Sequence, residues 1–341
     1  MSSFNPNSCT GLEPAPSKEG SWRMAQTGTV VGIDVSKGTL DAAIRSAGVA
    51  AKFSNTAKGR QELLKWLTDY SVRKAVMEAT GGYEISCRKF LAKAGLEVVI
   101  VDPKRVRHFA RSAGQLAKND PIDAQMIAWF AEVFDDLTGR PQDEPREQLE
   151  QLVAAHQALT RVQGQIENWG EHEHPKLVQK AYQALLKAIT AQLDNLDDAI
   201  VALLDSTPQF AERAEIIHSV PGLGDVSAAG IVAFLPELGR VDRQAAAALL
   251  GVAPFDADSG LHHGRRYIQG GRRKLRNLLY MPIVGAATRS NPVLKAHYQR
   301  LVARGKEPKV ALMACLRRLI GILNTMLARG EKWDPTKHAV A

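Results

Sequence analysis

The chain has 341 residues, 45% of them hydrophobic, and its 44 Lys and Arg against 36 Asp and Glu give a formal net charge of +8. That length exceeds one ordinary small domain and predicts two or three units with cores of their own, while the positive balance points to a polyanionic partner. No signal-peptide pattern opens the chain and no unbroken apolar run reaches the roughly 18 residues of a membrane span. The three cysteines (Cys9, Cys87 and Cys315) are too scattered for a disulfide framework or a zinc site, so a reducing cytoplasm is the expected setting, with no membrane partner.

Residues 1–27 are rich in Ser, Pro and Gly and are expected to be a disordered tail. Residues 28–140 then alternate strand and helix signals. Val30, Val31 and Ile33 begin a strand that runs into Asp34, and Ser36-Lys37-Gly38 is the turn to the next. Two further short strands are expected in LDAAIRSA and AKFSN, followed by an amphipathic helix in RQELLKWLTDY with Leu63, Leu64, Trp66 and Leu67 toward the core. KAVMEAT is a predicted strand, and YEISCRKFLAKAG a helix closed by Gly95. LEVVIVDP is a strand apolar enough to be buried on both faces. PKRVRHFARSA and PIDAQMIAWFAEVF follow as helices. Three strands and then strand–helix alternation predict a mixed sheet with helices on both sides, an α/β domain.

Residues 145–210 change character. Leu186, Ile189, Leu193, Leu196, Ile200 and Leu203 follow the 3-4-3-4-3 spacing of a coiled-coil seam, and Leu149, Leu152, Leu159 and Ile166 form a looser arm before it. EHEHP at 171–175 breaks the two arms. Its His172 and His174 read as part of a solvated turn before a proline rather than as metal ligands. A helical hairpin of this kind is a natural place for an oligomer contact. Residues 215–335 form a mainly helical unit. VPGLGDVSAAGIVAFL has the pattern of a helix-hairpin-helix, whose turn amides and following helix N-terminus receive a phosphate; simple helix–turn–helix packing gives the same string, and both readings stay open. From Leu261 to Tyr280 stand Arg265, Arg266, Arg272, Arg273, Lys274 and Arg276 with no acidic residue, the charge pattern of a nucleic-acid surface.

An aspartate at the end of a buried strand is costly unless something compensates it. Three other acids bear on Asp34: Glu78 at the end of AVME, and Asp120 and Asp123 in KNDPIDAQMI. The Asp pair has an i, i+3 spacing that puts both on one helix face, and Asp120 before Pro121 also suits a helix cap. Four carboxylates at close range repel each other and need cations, typically hard divalent ions such as Mg²⁺. Two such ions about 3.5–4 Å apart clamp a phosphodiester for in-line displacement. This order of acids resembles the RuvC/RNase H-like nucleases. GIDVSKGTLDA also resembles the first phosphate loop of actin-like ATPases and sugar kinases, but the second glycine-rich loop those folds require is absent downstream.

Ser259 lies in GVAPFDADSG, ahead of the basic stretch and close in sequence to Asp256, Asp258, His262 and His263. GIDVSKGTLD, MEATGGYE, KNDPIDAQMIA, SVPGLGDVSAAGIVAFL, GVAPFDADSG and GGRRKLRNLLYMPIVGAA, in this order from Gly28 to Trp333, resemble the DEDD insertion-sequence transposases. These are described as bridge-RNA-guided serine recombinases and are related to Piv-type invertases. The resemblance implies a RuvC-like domain over 28–140, a coiled-coil hairpin over 145–210 and a C-terminal transposase domain over 215–335. It puts the DEDD carboxylates at Asp34, Glu78, Asp120 and Asp123, with Mg²⁺, and the catalytic serine at Ser259. It further implies donor and target double-stranded DNA, a structured guide RNA and a tetramer. The alternative enzyme is a metal-dependent junction nuclease with no covalent intermediate, and the non-enzymatic alternative is a nucleic-acid-binding scaffold.

Overall fold

The computed structural model describes residues 29–114, 120–134, 137, 143–255 and 267–338, without the side chains of residues 120–122 and 338. The expected tail therefore lies outside the described residues. The chain divides into two compact units, Met1–Gln142 and Asp143–Ala341.

The first unit is a mixed α/β domain. Its strands β1 (Thr29–Val35), β2 (Thr39–Ile44) and β3 (Val49–Ser54) form an antiparallel meander. Helix α1 (Ala57–Asp69) leads to β4 (Val72–Glu78), and α2 (Glu84–Lys93) leads to β5 (Glu97–Val101). Both later strands join parallel, giving the order β3-β2-β1-β4-β5. Helices α3 (Pro103–Ser112) and α4 (Asp120–Val133) complete the unit. The elements expected from periodicity are all present. Leu63 and Leu67 of α1 are fully buried, whereas Leu64 and Trp66 only flank that core. β5 stands at a sheet edge, yet its two faces are covered: Val98 belongs to the cluster packed with α1 and α2, and Val99 and Val101 to the cluster packed with α3 and α4.

The second unit is mostly helical. Helices α5 (Glu144–Gly170) and α6 (Lys176–Ser206) pack on each other, with the break where EHEHP stands. Leu193 and Ile200 of the expected seam are buried, as are Leu149 and Ile166 of the facing arm. His174 Nε2 lies 2.6 Å from the Trp169 carbonyl and its ring meets Tyr182 edge-on, so it closes the turn. Next come α7 (Pro208–His218), α8 (Asp225–Phe234) and α9 (Arg243–Leu250). The two-residue strands β6 (Pro254–Phe255) and β7 (Tyr267–Ile268) pair antiparallel. The unit closes with α10 (Arg273–Leu278), α11 (Tyr280–Gly285), a π-helical turn at 286–290, α12 (Pro292–Ala303), α13 (Pro308–Arg329) and α14 (Pro335–His338). One helix among the described residues, α13, is long and apolar enough to cross a membrane despite Arg317 and Arg318. Its inner face, from Ala311 to Met326, belongs to the core of this unit, where α8 is almost wholly buried as well.

Candidate active site

Strand register fixes where two of the four acids stand. β1 and β4 run parallel with Ile33 opposite Met77, so Asp34 and Glu78 each lie one residue beyond that pair, at the same edge of neighbouring strands. Alternation places Asp34 on the same face of β1 as Gly32, and Glu78 on the same face of β4 as Val76. That face is the one α4 covers. A Cβ on Gly32 would come within 2.3 Å of both the Ala124 carbonyl oxygen and the Ala128 nitrogen, so only glycine lets the helix backbone rest on β1. Val76 packs with Ile127 and Phe130 in the same layer. At its C-terminal end α4 is tied by Arg45, which meets Glu132 at 2.7 Å and lies over the Trp129 ring. Asp123 immediately precedes Ala124, and the backbone of Asp120 opens the helix one turn earlier. Asp34, Glu78 and Asp123 are all half-buried.

A further carboxylate belongs to this row. Asp34 is directly opposite Asp41 on β2, which gives Asp41, Asp34 and Glu78 consecutive strands and one face. Asp41 is buried and compensated: Thr39 Oγ1 donates to it at 3.2 Å, and the Lys52 ammonium of β3 lies 3.2 Å away. The register centres on Lys37-Gly38, with Ser36 opposite Thr39; a count from the expected three-residue turn Ser36–Gly38 sets Asp34 against Leu40 and misses this pair.

The loops that follow the two strand ends are held together by Asn55. Its Nδ2 donates to the Ser36 carbonyl at 3.0 Å and to the Tyr83 carbonyl at 3.3 Å, and Arg60 donates to its Oδ1 at 3.1 Å. The loop after Glu78 is braced from within by Glu84, whose carboxylate accepts from Thr80 N, Thr80 Oγ1 and Gly82 N. Burial raises the Glu84 carboxyl, but hydrogen bonds from backbone N–H groups and the Thr80 hydroxyl outweigh it and hold it below its ordinary value. Neither Asn55 nor Glu84 was singled out by sequence reasoning, since each acts through a carbonyl or amide that no residue pattern displays.

The donor set is all carboxylate oxygen, the chemistry of a hard divalent ion. Among the described residues no three His, Cys, Asp or Glu side chains close on one point, and the Asp120 side chain lies outside them. In chemical type the set fits a divalent cation.

Ser259 lies outside the described residues, as do Asp256, Asp258, His262, His263, Arg265 and Arg266; all belong to the segment joining β6 to β7. The stems of that segment are tightly built. Arg272 N donates to the Leu249 carbonyl at 2.8 Å. Arg276 Nη1 donates to the carbonyls of Gly251 and Gly270, both at 2.9 Å. A Cβ on Gly271 would sit 2.2 Å from Gly251 N, so the two stems touch backbone to backbone. The Arg272 guanidinium makes a two-pronged pair with Glu237 at 2.5 and 2.6 Å. Two cations of the acid-free run thus serve the fold around this segment, while Arg273 and Lys274 are exposed.

The α7–α8 pair turns through 219–224, with Gly222 at φ +99°, where an added Cβ would meet Ala286 and Ser290 at 2.8 Å. His218 Nε2 reaches Asp225 Oδ1 at 2.7 Å across the turn, next to the α8 N-terminus.

Comparison with known proteins bears on both units. Residues 31–168 match a DEDD-type family model described as "Transposase", and residues 214–299 match the "Transposase IS116/IS110/IS902 family". The chain is similar to the "Pilin gene-inverting protein" of Moraxella bovis, 24% identical over 321 residues that cover 91% of this chain and 99% of the relative. It is 36% identical over 130 residues to the "Insertion element IS116 uncharacterized 44.8 kDa protein" of Streptomyces clavuligerus, covering 36% of this chain and 31% of that one. A further match, 30% identical over 152 residues, is the "Insertion element IS110 uncharacterized 43.6 kDa protein" of Streptomyces coelicolor, with 44% and 36% covered. The chain belongs to the DEDD transposase family of the IS110 type.

Proposed function

We propose that this chain is the recombinase of an insertion sequence, cutting and rejoining double-stranded DNA with Ser259 as nucleophile and Asp34, Glu78, Asp120 and Asp123 as the acidic set. Membership of a transposase family makes DNA the substrate class. One observation supports the reading above all: Asp34 and Glu78 stand side by side on the sheet face under α4, the helix that begins with Asp120 and Asp123. Carboxylates on adjacent strands and on the helix laid over them is also what a RuvC-like domain requires. In the step assigned to Ser259, its hydroxyl loses a proton as Oγ bonds to phosphorus. One phosphorus–oxygen bond to deoxyribose breaks, and the leaving oxygen takes up a proton. The number of phosphoester bonds is unchanged, so a strand hydroxyl attacking in reverse rejoins the chain to a new partner. Mg²⁺ held by the acidic set supplies charge neutralisation at the attacked phosphate.

The stem contacts of Arg272 and Arg276 support a role in presenting the segment that contains Ser259, leaving Arg273, Lys274, Arg265 and Arg266 as the cations assigned to nucleic acid. The α5–α6 hairpin is assigned the oligomer contact of a tetramer, through a coiled coil. A structured guide RNA, implied by the family resemblance, leaves target choice to base pairing; sequencing the RNA that copurifies with the protein tests it.

The decisive experiment is a suicide DNA substrate, nicked so that religation is impossible, incubated with Mg²⁺ and resolved on a denaturing gel. Wild type gives a protein–DNA adduct that survives denaturant and is lost on protease digestion. Ser259→Ala binds DNA and gives none; an adduct in that variant means another nucleophile. Cleavage by wild type without any adduct returns the junction-nuclease reading.

A further inference from the structure

The helical unit contains a cavity of about 440 Å³ whose lining includes the start of α5, α7 and the 236–240 turn. Three guanidiniums line it, those of Arg146, Arg213 and Arg240, against two carboxylates, Asp143 and Glu212. Asp143 and Arg146 hold each other: Asp143 caps α5 through Arg146 N and pairs with Arg146 Nε at 2.7 Å, while Arg146 Nη1 donates to the Val232 carbonyl and Nη2 is left for a ligand. Arg213 spends Nη2 on the Leu238 carbonyl at 3.0 Å, while its Nε is buried with no hydrogen-bond partner. Burial pulls the Arg213 guanidinium below its ordinary range, and the Arg146 and Arg240 charges add to the effect against opposition from Glu212 and Glu237. Glu237 is itself engaged by Arg272. The lining charges therefore leave a net positive cavity, and the Nε of Arg213 lacks an acceptor.

The wall behind these groups is rigid. Gly239 N donates to the Oδ1 of buried Asn324 at 2.7 Å, and Asn324 Nδ2 donates to the Val241 carbonyl at 2.8 Å. Gly239 holds φ +90°, where a side chain would crowd Leu327 at 3.1 Å. A fixed turn presenting guanidinium forks to an open polar cavity is organised in advance for a tetrahedral oxyanion, since several N–H groups meet several oxygens at little ordering cost.

We propose that Arg146, Arg213 and Arg240 form a seat for a phosphate group, filled by a nucleic-acid backbone. For the source of that phosphate the proposal rests on the family's DNA substrate; it is independent of the roles given to Ser259 and the acidic set. The test uses the full chain and reads binding, so loss of strand cleavage has no bearing on it. Affinity for a labelled DNA duplex is measured against salt for wild type, Arg240→Gln, Arg213→Lys and Arg213→Gln/Arg240→Gln, together with melting temperature in inorganic phosphate and pyrophosphate. The double variant flattens the slope of log K against log salt by about 0.9, the value for one phosphate contact, and Arg213→Lys retains most of the slope. Arg240 is exposed, so Arg240→Gln folds and decides the matter alone if the double variant does not. Inorganic phosphate raising the melting temperature of wild type but not of Arg240→Gln supports the seat. If that shift occurs with an unaltered DNA slope, the seat takes free phosphate and the nucleic-acid assignment is overturned. Wild-type slopes and wild-type phosphate responses in folded variants overturn the seat itself.

Discussion

Glu84 shows how one side chain can govern the loop beside a site without entering it. Its carboxylate gathers three donors from the 80–82 loop, and its folded pKa lies below the ordinary value near 4.5. A depressed carboxyl contributes stability that is complete above the unfolded pKa and is lost as pH falls through the folded one. Glu84→Gln should therefore melt below wild type above about pH 5, with the gap closing as the solution is acidified beneath the folded pKa; a gap constant with pH would mean the charge is irrelevant. Asn55 acts in the same way on a wider span, since it bridges the turn after Asp34 to the loop after Glu78. Asn55→Asp replaces its donor to two carbonyls with an acceptor. The expected cost is about 1 kcal/mol of stability, with a larger loss in strand cleavage and a raised Mg²⁺ requirement; equal, small effects on both would make Asn55 an ordinary turn residue. The two described cysteines are the inert counterpart. Burial pushes the Cys87 thiol up to about 12 and Cys315 to about 11, so at pH 8 neither should react with a thiol reagent until the protein unfolds.

At the scale of elements, α4 on β1 is the contact on which the acidic row depends. Gly32→Ala forces a Cβ into backbone atoms 2.3 Å away, where no side chain can yield. A loss of about 1–3 kcal/mol or more is expected, read as a lower melting temperature, with Mg²⁺-dependent cleavage lost beyond what the unfolded fraction explains. The strands and helices of this unit were legible because each is a short periodic string bounded by turn residues. The strand-end positions of Asp34 and Glu78 were legible too, since each closes an apolar run. What escaped was reciprocal: Asp41 looked like one polar residue among many until hairpin register set it against Asp34. Arg272 and Arg276 read as part of a bare cationic surface because Glu237 and the carbonyls of Gly251 and Gly270 lie far away or have no side-chain signature. Charge runs report composition, while the partner of each charge is a tertiary fact. A DNA-binding comparison follows: Lys274→Gln with Arg273→Gln should flatten the salt slope without lowering the melting temperature, whereas Arg276→Gln should lower the melting temperature first.

For the whole molecule, the buried clusters divide cleanly between the units: two enclose the sheet of the first, and one large cluster joins α5 through α13 in the second. A fragment of residues 143–341 should therefore fold alone, with a cooperative thermal transition and a helical circular dichroism spectrum; a molten, non-cooperative fragment would show that its core needs the first unit. The chain order of the first unit has a different kind of consequence. All five strands and α1–α3 precede α4, so a ribosome releases Asp34 and Glu78 long before the helix that must settle over Gly32. During synthesis the nascent sheet holds Asp34, Asp41 and Glu78 before the helix that brings Asp120 and Asp123 has emerged. On the acidic set proposed above, a DNA-cutting chain is thus unarmed at birth, and α4, the last helix described in this unit to leave the exit tunnel, is the one that arms it.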